Sequence, residues 1–268
     1  MTAIAVLGAF LRRDLAISLS YKVGFALGLA SNLFSLALFF YLSRLVDRSG
    51  GADEALRRGY FAFVVVGIAL LGVAQTGLTS LGQKFRQEQT TGTFEALMST
   101  PASPSLLILS SAAYDMIRAA VEGVVFVLLG VAFFGLRLAS DPVSILVALF
   151  AAIVSMVFFV ALGVAVAAFT VVFKQTTALL GMVTSSFALL GGVFFPLRVL
   201  PEPLRTISDI VPFTWALKAL RDALISGETN VEALVILVAA ALVSFPLALW
   251  LFGLAMRRAR KTATLAQY

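Results

Sequence analysis

Asp115, Arg118 and Glu122 interrupt an otherwise apolar stretch between Pro104 and Arg137. Separations of three and four residues put them on one face of a helix. Arg118 can then pair with both carboxylates, which lowers the cost of charge near lipid. Such a trio suits a structural ion network, or a proton or cation relay that would make the chain an ion-coupled secondary transporter. A third reading makes Asp115 and Arg118 interfacial residues, because a helix running from Pro104 overshoots the hydrocarbon core of a bilayer.

Composition removes most other chemistry. The chain has neither His nor Cys, so no imidazole base, thiol nucleophile, zinc site or disulfide can be built, and no metal site is expected. An intramembrane enzyme would have only carboxylates, hydroxyls and lysines to work with. No lysine stands in the glycine-rich context that cradles a nucleotide phosphate. If ATP drives this protein, another chain must bind it.

The natural contact for such a chain is the connection Lys84 to Pro104. Within it, Thr91 or Thr93 can cap a short helix that runs through Phe94, Glu95, Leu97 and Met98 and stops at Pro101. Phe94, Leu97 and Met98 give that stub an apolar face suited to a groove in a partner, with Glu88 and Glu95 free for polar pairing. The same stub could also rest on lipid as an interfacial helix.

The elements that hold these residues follow from hydropathy. Sixty per cent of residues are hydrophobic and 13% charged, with a mean hydropathy of +1.01. Soluble domains run near 45 to 50% apolar and about 25% charged. Five uncharged runs are long enough to span, Val23 to Ser43, Gly59 to Gln83, Val143 to Phe173, Gln175 to Leu197 and Ala233 to Met256. With the charged run near 105–135, they predict an all-α polytopic membrane protein of six transmembrane helices, forming one domain over 1–268.

Residues 1–21 carry Ile4, Leu7, Leu11 and Leu15 at helical spacing, with Arg12 and Arg13 on another face. They predict a retained amphipathic helix on the membrane surface. The net charge of +6 sits at the ends and in the gaps between apolar runs, a membrane-flanking pattern rather than a nucleic-acid surface. Lys and Arg counts on the two sides nearly balance. The cluster Arg257 to Lys261 abuts the last span and places both termini in the cytoplasm of an inner (plasma) membrane protein.

The other long connection, 198–230, lies outside in this topology. Pro201, Pro203 and Pro212 break any continuous helix there. Leu204 to Ile210 and Phe213 to Leu224 are amphipathic enough for two short helices, which can dip back into the outer leaflet where protein or water satisfies the backbone.

The stretch Glu88-Gln-Thr-Thr-Gly-Thr-Phe-Glu-Ala-Leu-Met-Ser-Thr-Pro101 resembles the segment after the second span in permeases of the type 2 ATP-binding-cassette (ABC) exporter family. Gly192-Val-Phe-Phe-Pro196, Leu200-Pro201, Leu204 and Pro212-Phe-Thr-Trp-Ala-Leu-Lys-Ala-Leu-Arg221 resemble that family's fifth-span exit and external re-entrant helices. Both matches occur in order and in the right places among six spans. Phe94 stands where the family often has Leu.

The resemblance implies a coupling helix over 92–98, with Gly92, Thr93, Phe94, Glu95, Leu97 and Met98, joined by Glu88, meeting an ABC ATPase subunit. ATP and Mg would bind that partner, and no cofactor this chain. Two permeases, identical or related, would assemble with two ATPases, the first and fifth spans lining the path between them and lipid surrounding the whole. Phe195, Pro196, Pro201, Pro212, Trp215 and Arg221 fall in the re-entrant segment. The implied function is export of an amphiphile, drug-like compound or lipid-linked glycan, with no catalysis by this chain. The trio Asp115, Arg118 and Glu122 maps to no family motif.

Overall fold

A computed structural model describes residues 22–48, 59–90, 104–173 and 177–261. The interfacial helix expected over 1–21 and the coupling helix expected over 92–98 lie outside the described residues. Among those described, all regular structure is helical, and a helix satisfies its own backbone polar groups where water is absent.

The long helices are α1 (Lys22–Arg48), α2 (Tyr60–Thr90), α3 (Pro104–Phe134) and α4 (Pro142–Phe173). Next come α5 (Thr177–Leu190), a 3-10 turn (Leu197–Val199), α6 (Glu202–Ile210) and α7 (Pro212–Arg221). A turn of π-helix (Asp222–Ser226) leads to α8 (Val231–Lys261). Five of these, α1, α2, α3, α4 and α8, contain stretches long and apolar enough to cross a membrane.

Two boundaries depart from the apolar runs. The second run ends at Gln83, yet α2 continues through Lys84, Arg86, Gln87 and Glu88 to Thr90. Those residues are strong helix formers, so loss of hydrophobicity does not end the helix. The fifth run extends to Leu197, yet α5 stops after 14 residues at Leu190. Gly191 and Gly192 follow, and Gly192 takes φ +67°, a left-handed turn that glycine enters without steric cost. The connection after it forms the two short helices read from the sequence, starting at Glu202 and Pro212 rather than Leu204 and Phe213.

Helix α2 is the centre of the bundle, packed along both α3 and α4, while α4 and α8 lie side by side over much of their length. The α2 and α4 backbones touch at glycines. A Cβ built on Gly163 would overlap the Gly77 carbonyl oxygen, and one on Gly77 would lie 2.6 Å from Phe159 Cβ. Small residues at such crossings permit the close approach that substitutes for the hydrophobic effect between helices in lipid. Phe159 of α4, Phe187 of α5 and Phe213 of α7 then close a buried aromatic triangle, with Phe187 and Phe213 stacked at 4.9 Å.

Among its described side chains, helix α1 is held chiefly around Leu36 and Phe40. Leu36 is fully buried against Phe126 and Leu136, and Phe40 meets Phe61 and Phe134 at 5.5 and 5.3 Å. Its first turns, by contrast, leave Val23 74% and Leu27 66% exposed.

Candidate functional site

Arg221 closes α7 and faces inward, toward backbone rather than toward a carboxylate. Its Nε and Nη2 donate to the Phe63 carbonyl of α2 at 3.1 and 2.8 Å. Nη1 donates to Gly192 O at 3.0 Å, and Nη2 also donates to Val193 O at 3.1 Å. The guanidinium carbon lies 3.3 Å from the centroid of the Phe63 ring. A planar fork with several fixed donors suits this task, since one side chain satisfies carbonyls from two elements while stacking on a ring. Lys218, one turn earlier, instead covers the Trp215 ring at 4.8 Å.

Two further bonds tie the same turn. Tyr60, at the start of α2, donates its hydroxyl to Phe194 O at 3.1 Å, and Thr214 of α7 donates to Leu190 O at 3.3 Å. Gly67 supplies the space. A Cβ there would lie 2.8 Å from Val193 O and 2.9 Å from Arg221 Nη2. The turn after α5 therefore sits beside residues 63–67, roughly 5 to 10 Å along α2 from its Tyr60 end. At that depth its carbonyls need protein donors, and Arg221, Tyr60 and Thr214 provide them.

The rest of this end is held by caps. Asp141 precedes α4 and accepts a bond from Ser144 N–H at 2.9 Å. That bond, with a second from the Ser144 hydroxyl, holds the Asp141 carboxyl below the usual aspartate range. Asn230 caps α8 by accepting from Ala233 N–H at 3.0 Å, and its amide donates to Asp222 Oδ2 at 2.7 Å. Ala139 N–H donates to Leu224 O at 2.7 Å, which joins the α3–α4 connection to the π-turn.

The charged trio lies elsewhere, on α3. Arg118 Nε donates to Glu122 Oε1 at 2.7 Å, with side chains 58% and 56% exposed. Asp115 sits one turn earlier and also attracts the guanidinium. The pairing to Glu122 is the i,i+4 contact expected from spacing. Its exposure sets it on the outside of the helical bundle, apart from the Arg221 site.

A family model described as ABC-2 type transporter matches residues 7–225. The chain belongs to the ABC-2 type transporter family. It is a multi-pass membrane protein and a transmembrane permease subunit of an ABC transporter, and such permeases work with an ABC ATPase. No curated protein matches the chain.

Of the residues this permease's sequence singles out, Arg221 and Pro212 stand on α7 with Trp215, whose indole N–H donates to Asp209 O at 2.7 Å. Phe195 and Pro196 lie in the turn Arg221 holds, and Pro201 caps α6. Glu88 is in the last turns of α2, and Gly92, Thr93, Phe94, Glu95, Leu97 and Met98 lie outside the described residues. Sequence reasoning missed Tyr60, Phe63 and Gly67. Tyr60 carries a signal, as an aromatic at the edge of an apolar run; Phe63 and Gly67 carry none, because Phe63 is one apolar ring among many, with a carbonyl such as every residue has, and Gly67 contributes only the lack of a side chain.

Proposed function

We propose that this permease is the transmembrane half of an ATP-driven exporter that carries an amphiphile, drug-like compound or lipid-linked glycan outward. The observation that carries the reading is the family match over 7–225, which takes in both the segment after α2 and the turn-and-helix segment after α5. On this reading α5 is the fifth of six crossings in the plasma membrane, both termini are cytoplasmic, and α6 and α7 form an external re-entrant pair. Residues 92–98, with Glu88, are the coupling helix that seats in the ATPase, which holds ATP and Mg. Two permeases, identical or related, assemble with α1 and α5 lining the path between them. The exposed faces of both helices support that placement, with Leu27, Phe34 and Leu38 on α1 and Met182 and Leu189 on α5 open in the single chain.

The test is the pair of changes Gly92→Ala and Glu95→Ala, made together and assayed in proteoliposomes with the ATPase. Vanadate-sensitive movement of a fluorescent amphiphile per ATP should fall at least about fivefold, the lower end of ordinary coupling free energies. Membrane insertion should be unchanged. Unimpaired movement in the double variant sinks the coupling-helix assignment. Movement that continues without any ATPase and collapses with the ion gradient favours a relay through Asp115, Arg118 and Glu122.

A further inference from the structure

Three elements meet at Arg221, and one of them runs the length of the permease. Helix α2 is 31 residues, about 46 Å, with no proline in its interior. Its Thr90 end leads into the segment assigned above to the ATPase. Its Tyr60 end holds the turn after α5, through Tyr60 to Phe194 O and through Arg221, which spans Phe63 O, Gly192 O and Val193 O. Between those ends α2 is wedged against α3 and α4, with Val64, Val65, Ala74, Leu78 and Leu81 at most 1% exposed. An unbroken, densely packed helix transmits displacement rather than absorbing it, because packed interiors have low compressibility.

Helix α5 is built differently. Gly181 has open space around its Cα, and Met182 is 72% exposed. Among the described residues, the buried Phe187 ring and the hydrogen-bonded turn Gly191–Phe194 lie at its C-terminal end.

We propose that Arg221 is a positioning residue that makes the turn after α5 move with α2, so that displacement at the ATPase end of α2 reaches the opposite end of α5. The role does not require Arg221 to touch cargo. Its guanidinium acts through three carbonyls, and Gly67 keeps the clasp closed by leaving no side chain between α2 and Val193. The inference rests on the ATP-driven reading above, and goes beyond it by naming the residue through which the movement passes.

Two label pairs in the assembled permease and ATPase test it, read by spin-label distances with and without ATP and vanadate. An inner pair, Val23→Cys with Gln83→Cys, reports the ATPase end; an outer pair, Val199→Cys with Glu228→Cys, reports the turn against the start of α8. All four positions are exposed. In the otherwise unsubstituted protein both distances should shift with nucleotide. With Arg221→Met the inner shift should persist and the outer shift should shrink at least about fivefold, and Arg221→Lys, which keeps the charge but not the fork, should fall between. Gly67→Ala opens the same clasp from the α2 side and should reproduce Arg221→Met, so the test survives if Arg221→Met does not fold. An outer shift of full size in Gly67→Ala and in whichever Arg221 variants fold overturns the inference. Failure of the inner pair to move in the unsubstituted protein overturns the ATP-driven reading, and the inference with it.

Discussion

Gly163→Ala adds a single methyl at the point where α4 meets α2. The new Cβ would overlap the Gly77 carbonyl oxygen, with the Leu81 side chain, one turn further along α2, 3.5 Å away. A carbonyl inside a helix cannot rotate aside as a flexible side chain would, so the two helices must separate. Overpacking of this kind costs about 1 to 3 kcal/mol, and an obstacle made of backbone belongs at the upper end. Alanine returns about 1 kcal/mol of helix propensity, so the net loss is about 2 kcal/mol.

Gly72→Ala is the matched control. It lies on α2, where a Cβ would meet nothing within 4 Å, and only the propensity gain applies. Thermal unfolding in detergent should therefore move in opposite directions for one chemical change, at about 2 to 4 °C per kcal/mol for a chain of this size. Gly163→Ala should fall by roughly 4 to 8 °C and Gly72→Ala should hold or rise by a few degrees. Equal shifts at both positions would refute the claim that the α2–α4 crossing depends on missing side chains.

Other expectations follow from the caps. Asn230→Ala removes both the first-turn acceptor of α8 and the bond to Asp222, and should cost about 1 kcal/mol, with faster amide exchange confined to the start of α8. Asp141 has its carboxyl held low by Ser144. A carboxyl depressed in the folded state contributes stability that is full above its unfolded pKa and is lost as pH falls through the folded value. The gap in thermal midpoint between the natural protein and Asp141→Asn should thus be constant near neutrality and close only below about pH 4. A gap that closes above pH 6 would contradict that bond.

The long helices were legible because lipid imposes a simple rule on them, and the runs 143–173 and 233–256 show it. Ends set by charge misled, since Lys84 and Arg86 end the apolar run without ending the helix. The end of α5 was legible in principle from Gly191-Gly192, a turn signal inside a run whose hydropathy continues to Leu197. The short helices could be read from prolines. The role of Arg221 could not, since its partners lie 28, 29 and 158 residues away and are carbonyls, which every residue has. The exposed Arg118–Glu122 pair was legible from spacing because it is local.

The height of the turn after α5 also bears on the lipid around it. Beside α2 the helical wall reaches Tyr60; beside α5 it ends level with residues 63–67, about 5 to 10 Å lower. Beyond it the 3-10 turn exposes Val199, and α6 exposes Ile207 and Ile210. Acyl chains that reached this side would meet a step, and a uniformly thick bilayer would have to deform to follow it. Thickness mismatch costs fractions of a kcal/mol per ångström, so a step of this size ties the shape of the permease to the thickness of the membrane that houses it.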